Sequence, residues 1–251
     1  MPSVVLIYSC IFVIGLVIGG IVNICVDLSL KRINFQSKDF SANDNAEFRW
    51  HDTFPVLSFL LLKGRCSSHR AKVNMQYPLV ELANGVLYVI VFMANGRNLL
   101  SVLYCLMTSA FLVISIVDEK TLEIPLACNL FLGGLGLIAC ILDCHNIAQH
   151  IIGFVCVSLV LYLLYLISGG ALIGGGDVKL MAAVGLLLGW KNATLAFFLA
   201  CIIGSVIHVI RMKVSKAERV LAMGPYLCLG LWICALWGEK MIGWYLGLLV
   251  R

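Results

Sequence analysis

Long uncharged apolar runs separated by short polar breaks set the pattern of this chain. Val4 to Val26, Asn98 to Val117, Ile124 to Leu142, Ile151 to Gly176, Asn192 to Ile210 and Val220 to Gly238 each approach the roughly 20 residues that cross a bilayer as helix. Two weaker runs complete the series: Gln76 to Gly96, which carries Glu81, and the short, Gly-containing Val178 to Trp190. The pattern predicts an all-α membrane protein, a polytopic bundle of about eight transmembrane helices with one cytoplasmic loop after the first. The first run is too long for a signal-peptide core and no small-residue cleavage pattern follows it, so it is read as a retained helix.

One stretch breaks the rhythm. Asp27 to Met75 is long and polar enough to lie outside the bilayer, and its first half, NFQSKDFSANDNAEF, has no apolar periodicity. Its second half, WHDTFPVLSFLLL from Trp50 to Leu62, is apolar enough to pack on the membrane surface or against the helices. The expected divisions are a first transmembrane helix over 1–27, a cytoplasmic loop over 28–75 and a helical bundle over 76–251. Neither a repeat nor a low-complexity tract is visible.

Composition agrees with lipid as the solvent, since 61% of the residues are hydrophobic, 12% are charged and the mean hydropathy is +1.01. Charge then orients the chain. With eight alternating passes, Lys31, Arg32, Lys38, Arg49, Lys63, Arg65, Arg70 and Lys72 of the long loop share a side with Lys120, Lys179, Arg211, Lys213, Lys216 and Arg219, against only Arg97, Lys191 and Lys240 opposite. Basic residues favour the cytoplasmic side, so that side holds the loop. The net charge of +5 is explained by this topology, and no basic run interleaved with aromatics points to nucleic acid. Most of the eleven cysteines sit inside apolar runs, where cysteine packs as a small hydrophobe, and no CxxC pair occurs.

Ionisable groups at membrane depth cost on the order of 2.5 to 3.5 kcal/mol each, so they mark candidate function. Asp118 follows an uncharged run in VDEKTLEIP, and Asp177 follows another in GGALIGGGDVK. Both fall at the cytoplasmic ends of helices, where a bundle can bring them together. Paired carboxylates in a partly dry site tend to share one proton, so one can activate water while the other protonates a leaving amide. The alternative for Asp118 is a plain helix cap at the interface. Around Asp177, Gly174, Gly175 and Gly176 either admit an approaching backbone or serve close helix packing.

These words resemble those of bacterial type IV prepilin peptidases, the bifunctional leader peptidase and N-methyltransferase family of GxGD aspartyl proteases. ALIGGGDVKLMAAVGLLLGW, from Ala171 to Trp190, is similar to the family's second-aspartate motif, and DEKTLEIP carries the family's Ile-Pro after Asp118. GLVIGGIVNICV, FPVLSFLLLKGRC, YPLVEL and MGPYL follow the family in order. The resemblance implies that Asp118 and Asp177 form a catalytic dyad in a multi-pass protein of the bacterial inner membrane. It implies that the basic leader of a prepilin or pseudopilin is cut on the cytoplasmic side. It also implies that the new N-terminal amine is methylated with S-adenosylmethionine.

Glu81, inside YPLVEL, is a candidate for binding substrate or cofactor, and Lys179, Gly174 and Gly176 are candidates beside Asp177. One departure stands out: the family's two CxxC pairs are reduced to Cys66 with His69. Together with His51 these fall short of a four-ligand zinc set, so no zinc is expected. His208 is read as a packing residue, and His145 and His150 as solvated residues of a far-side loop. A transporter or secretion scaffold is the rival reading; it would place its acids near midspan along a path, whereas these gather at one face.

Overall fold

The computed structural model describes residues 2–36, 75–170, 173–215 and 221–249, and among these residues helices joined by short turns are the only regular structure. The helices are α1 (Pro2–Gln36), α2 (Gln76–Asn95), α3 (Leu99–Thr121), α4 (Leu126–Leu142), α5 (Ile147–Ser168), α6 (Gly175–Ser215) and α7 (Gly224–Leu249). Six of them are long and apolar enough to cross a membrane, and α4 is a shorter apolar helix. The all-α membrane architecture expected from the apolar runs is therefore present. The loop segment Trp50 to Leu62, with His51, Cys66 and His69, lies outside the described residues.

The chain divides into two compact units, Met1–Arg97 and Asn98–Arg251. In the first, α1 and α2 pack antiparallel along a seam of small residues. A Cβ built on Gly15 would lie 2.7 Å from the Cα of Gly85, and one on Gly19 would lie 2.6 Å from the Cα of Glu81. Such close backbones are how membrane helices gain packing where lipid gives no hydrophobic drive. Polar bonds fix the register: Asn84 Nδ2 donates to Gly15 O at 2.7 Å, Asn23 Nδ2 to Tyr77 O at 3.1 Å, and the Tyr77 hydroxyl to Asp27 Oδ2 at 3.0 Å. Helix α1 also differs from the expected loop boundary at residue 27. DLSLKRINFQ contains no Gly or Pro to stop a helix, so α1 continues past Asp27 to Gln36.

In the second unit, consecutive helical segments run alternately toward and away from one end. Asn98 caps α3, its side-chain oxygen accepting from Ser101 N at 2.8 Å. At the other end of α3, Leu122 adopts a left-handed conformation (φ 56°) and its N–H closes on Asp118 O at 2.8 Å. The apolar run expected to extend from Ile151 to Gly176 is shorter in the structure. Helix α5 stops at Ser168 because Gly169 (φ 59°) and Gly170 (φ 83°) take conformations that an L side chain resists, and their N–H groups satisfy the last carbonyls. The next helix begins only at Gly175, so Asp177 belongs to the first turn of α6 and not to the end of α5.

Helix α6 contains a break at Gly189 (φ 76°, ψ 166°). Asn129 of α4 bonds Gly176 near the start of α6, and Glu119 at the end of α3 pairs with Arg211 near its finish. Both ends of α6 thus lie by the C-terminus of α3, and Gly189 reverses the chain between two arms. These arms are the expected Val178 to Trp190 and Asn192 to Ile210 passes, continued as one element.

The reversal is braced by His150, which is a correction to its expected place in a solvated loop. The residue is 8% exposed in the first turn of α5, with Nδ1 2.8 Å from Leu186 O and Nε2 3.5 Å from Asp143 Oδ2. A carbonyl only accepts, so Nδ1 carries the proton and supplies a donor where the helical ladder ends at the break. His145 is exposed.

The tightest helix contact is α5 against the first arm of α6, where Gly153 and Gly185 meet through backbone and neither has room for a Cβ. Gly185→Val will therefore lower unfolding free energy in detergent by about 1–3 kcal/mol, the usual cost of overpacking. Gly243→Ala, with nothing within 4 Å of an added Cβ, will leave the thermal transition unchanged.

Candidate active site

Two helix termini converge at one end of the second unit. The last turn of α3 carries Asp118, 4% exposed, on the face that also buries Phe111, Ile114 and Val117. The first turn of α6 carries Asp177, half-buried, whose N–H donates to Gly174 O at 3.1 Å. Both aspartates line a single cavity of about 250 Å³ and lie within electrostatic reach of each other. The chain pattern puts both at the same end of their helices, and the geometry brings them to one cavity.

The carboxylates are held differently. Asp118 Oδ2 accepts a hydrogen bond of 2.8 Å from the backbone N–H of Gly224, the first residue of α7. Asp177 turns toward its own preceding loop, where a Cβ on Gly174 would lie 3.2 Å from Asp177 Oδ2. Gly176 lines the cavity too, and a Cβ there would come within 2.9 Å of Ile124 Cβ. Approach and packing, the two readings of the glycine run, thus fall on different glycines: Gly174 stands open beside the carboxylate and Gly176 lies against Ile124. Lys179 is an exposed cation at the cavity wall.

Glu81 lies in the first unit, 2% exposed in the seam between α1 and α2. Among the described residues no group of three or more His, Cys, Asp or Glu side chains is placed to hold a metal ion.

Three contributors were not read from the sequence. Gly224 lies 106 residues from Asp118, beyond any local pattern. Asn129 sits inside an apolar run, and a polar side chain there was the available signal. Its Nδ2 donates to Gly176 O at 3.4 Å, while its Oδ1 is buried without a hydrogen-bond partner among the described residues. Cys228, one turn beyond Gly224, is buried and lies within electrostatic reach of both aspartates. Beside Asp118 in the chain, Glu119 pairs with Arg211 at 3.0 Å with nearly half of each side chain exposed.

The geometry fits comparison with known proteins. A family profile described as the type IV leader peptidase family matches residues 105–209, and another described as the bacterial peptidase A24 N-terminal domain matches residues 13–95. The chain is 31% identical over 209 residues to a prepilin leader peptidase/N-methyltransferase of Stutzerimonas stutzeri, covering 80% of this chain and 72% of that one. Proteins of the same name from Pseudomonas aeruginosa and Aeromonas hydrophila are 33% and 34% identical. The former alignment covers 80% of this chain and 71% of the relative, and the latter 78% and 70%. No solved structure matches.

Because Asn129 contributes one long hydrogen bond and one orphaned acceptor, replacing both with apolar surface will be nearly neutral. Asn129→Leu will change unfolding free energy by less than about 1 kcal/mol in a detergent melt. A loss of several kcal/mol would mean that the Gly176 bond is worth more than its length suggests.

Proposed function

The chain belongs to the type IV leader peptidase family, and from that premise we propose that it cleaves the leader from prepilins or pseudopilins with Asp118 and Asp177 as a catalytic dyad. The observation that carries this reading is the meeting of the two carboxylates in one cavity, delivered by the last turn of α3 and the first turn of α6. The cavity faces the cytoplasm in this proposal, as the excess of Lys and Arg on that side of the expected topology supports.

The pair works with one proton between its members. The ionised carboxylate takes a proton from water as the water oxygen attacks the scissile carbonyl. The protonated carboxylate gives its proton to the leaving amide nitrogen as the C–N bond breaks, so the products are an acid and a new amine. Gly174 leaves space for an extended backbone beside Asp177, and Lys179 offers a donor to a substrate carbonyl at the wall. The apolar N-terminal helix of a prepilin can remain in lipid while its junction reaches the cavity.

Methylation of the new amine is the second part of the proposal, and S-adenosylmethionine would supply the methyl group. Glu81 is the sequence's candidate for binding substrate or this donor. It is 2% exposed with its Cα packed on Gly19, and so enclosed a carboxylate does not fit a nucleoside-sized group. No methylation step is assigned to it.

Asp118→Asn and Asp177→Asn will each reduce cleavage of a full-length prepilin by at least about 1,000-fold while leaving membrane insertion intact, because one carboxylate cannot serve as both acid and base. Mass spectrometry of the product's N-terminus reads the outcome directly. Substantial cleavage by either variant would remove the dyad from the mechanism. The pH dependence of kcat/KM will be bell-shaped in the wild type, since both a charged and a protonated carboxyl are required; a profile with one limb only would contradict shared-proton catalysis. With the CxxC pairs reduced to Cys66 and His69, cleavage will survive a zinc chelator. Loss of activity on chelation, restored by zinc, would overturn that expectation.

A further inference from the structure

We propose that Gly224, through its backbone N–H and its missing Cβ, is the positioning residue that sets Asp118 for catalysis. The inference rests on the dyad reading above and gives a role to the MGPYL word, which the mechanism has so far left unused. The N–H of Gly224 donates to Asp118 Oδ2 at 2.8 Å in a buried setting. That bond occupies one oxygen of the carboxylate and leaves Oδ1 for exchanging a proton with water or with Asp177.

Only glycine permits this approach. A Cβ at residue 224 would lie 2.7 Å from Asp118 Oδ2, 2.9 Å from Cγ and 3.1 Å from the Cβ of the aspartate. The first two distances are shorter than real Cβ contacts, so the carboxylate would have to swing away. The partner is otherwise well fixed. Gly224 opens a 26-residue helix whose next turn carries the buried Cys228 within electrostatic reach of both aspartates. Pro225 follows at the helix start, where its lack of an N–H costs nothing, so the Gly224 amide is the donor offered at that point. The first N–H groups of a helix have no partner within it, and Asp118 is the partner supplied from α3.

A displaced carboxylate should impair turnover more than binding, since it does not hold the leader. In the full-length protein in detergent, Gly224→Ala is expected to lower kcat on a prepilin about 100-fold with KM changed less than about threefold. Gly243→Ala, which touches nothing, serves as the neutral comparison. A Gly224→Ala enzyme with kcat within threefold of wild type would overturn the proposal.

A second measurement does not depend on that variant folding. Met223–Gly224 is the only Met-Gly pair in the chain, so carbonyl-labelled Met with nitrogen-labelled Gly isolates one amide signal by NMR. Its proton is expected to follow pH in the wild type, and in Asp118→Asn to move upfield and lose that pH dependence. An amide indifferent to Asp118→Asn would refute the positioning role. If the wild type does not cleave prepilin, the peptidase reading falls on its own, and the amide signal still tests the Asp118–Gly224 contact.

Discussion

The cost of holding two carboxylates at the end of apolar helices governs the arrangement of the second unit. A charge removed from water needs donors, a neighbour that shares its proton, or access to solvent. Asp118 has a backbone donor from α7, Asp177 sits in the first turn of α6, and the cavity between their helices gives both a route to water. Four chain segments meet here for that reason: the end of α3, the start of α4, the start of α6 and the start of α7. Gly176 against Ile124 and the left-handed Leu122 are the close-packing devices that let these termini crowd together.

The apolar runs and both aspartates were legible because they are local features. A run of about 20 uncharged residues has few other readings, and a carboxylate at its end is conspicuous. Helix ends were read less well, since hydropathy measures solvent preference and not backbone geometry. The stop of α5 is written in Gly169 and Gly170, yet those glycines lie within an apolar run that continues to Gly176. Conversely, α1 runs on into a polar stretch because nothing in DLSLKRINFQ stops it.

Residues whose roles depend on distant partners were not legible. His150 reads as a polar loop residue until the carbonyl of Leu186, 36 positions on, is placed beside it. Gly224 reads as one more position in the apolar run Val220 to Gly238 until Asp118 arrives from 106 residues away. In both cases the contact is to backbone, and main-chain partners leave no trace in side-chain patterns. The resemblance to a known family marked MGPYL as a recurring word without saying what it touches.

The reversal at Gly189 has a consequence for biogenesis. The first arm of α6, Gly175 to Leu188, is about 21 Å long at helical rise, well short of the roughly 30 Å hydrocarbon thickness. A segment of that length is a poor stop or start signal for the translocon when it emerges by itself. Its entry into lipid is therefore coupled to synthesis of the longer return arm, and the two partition as a helical hairpin. Asp177 is then carried to its final depth by a stretch of chain translated after it.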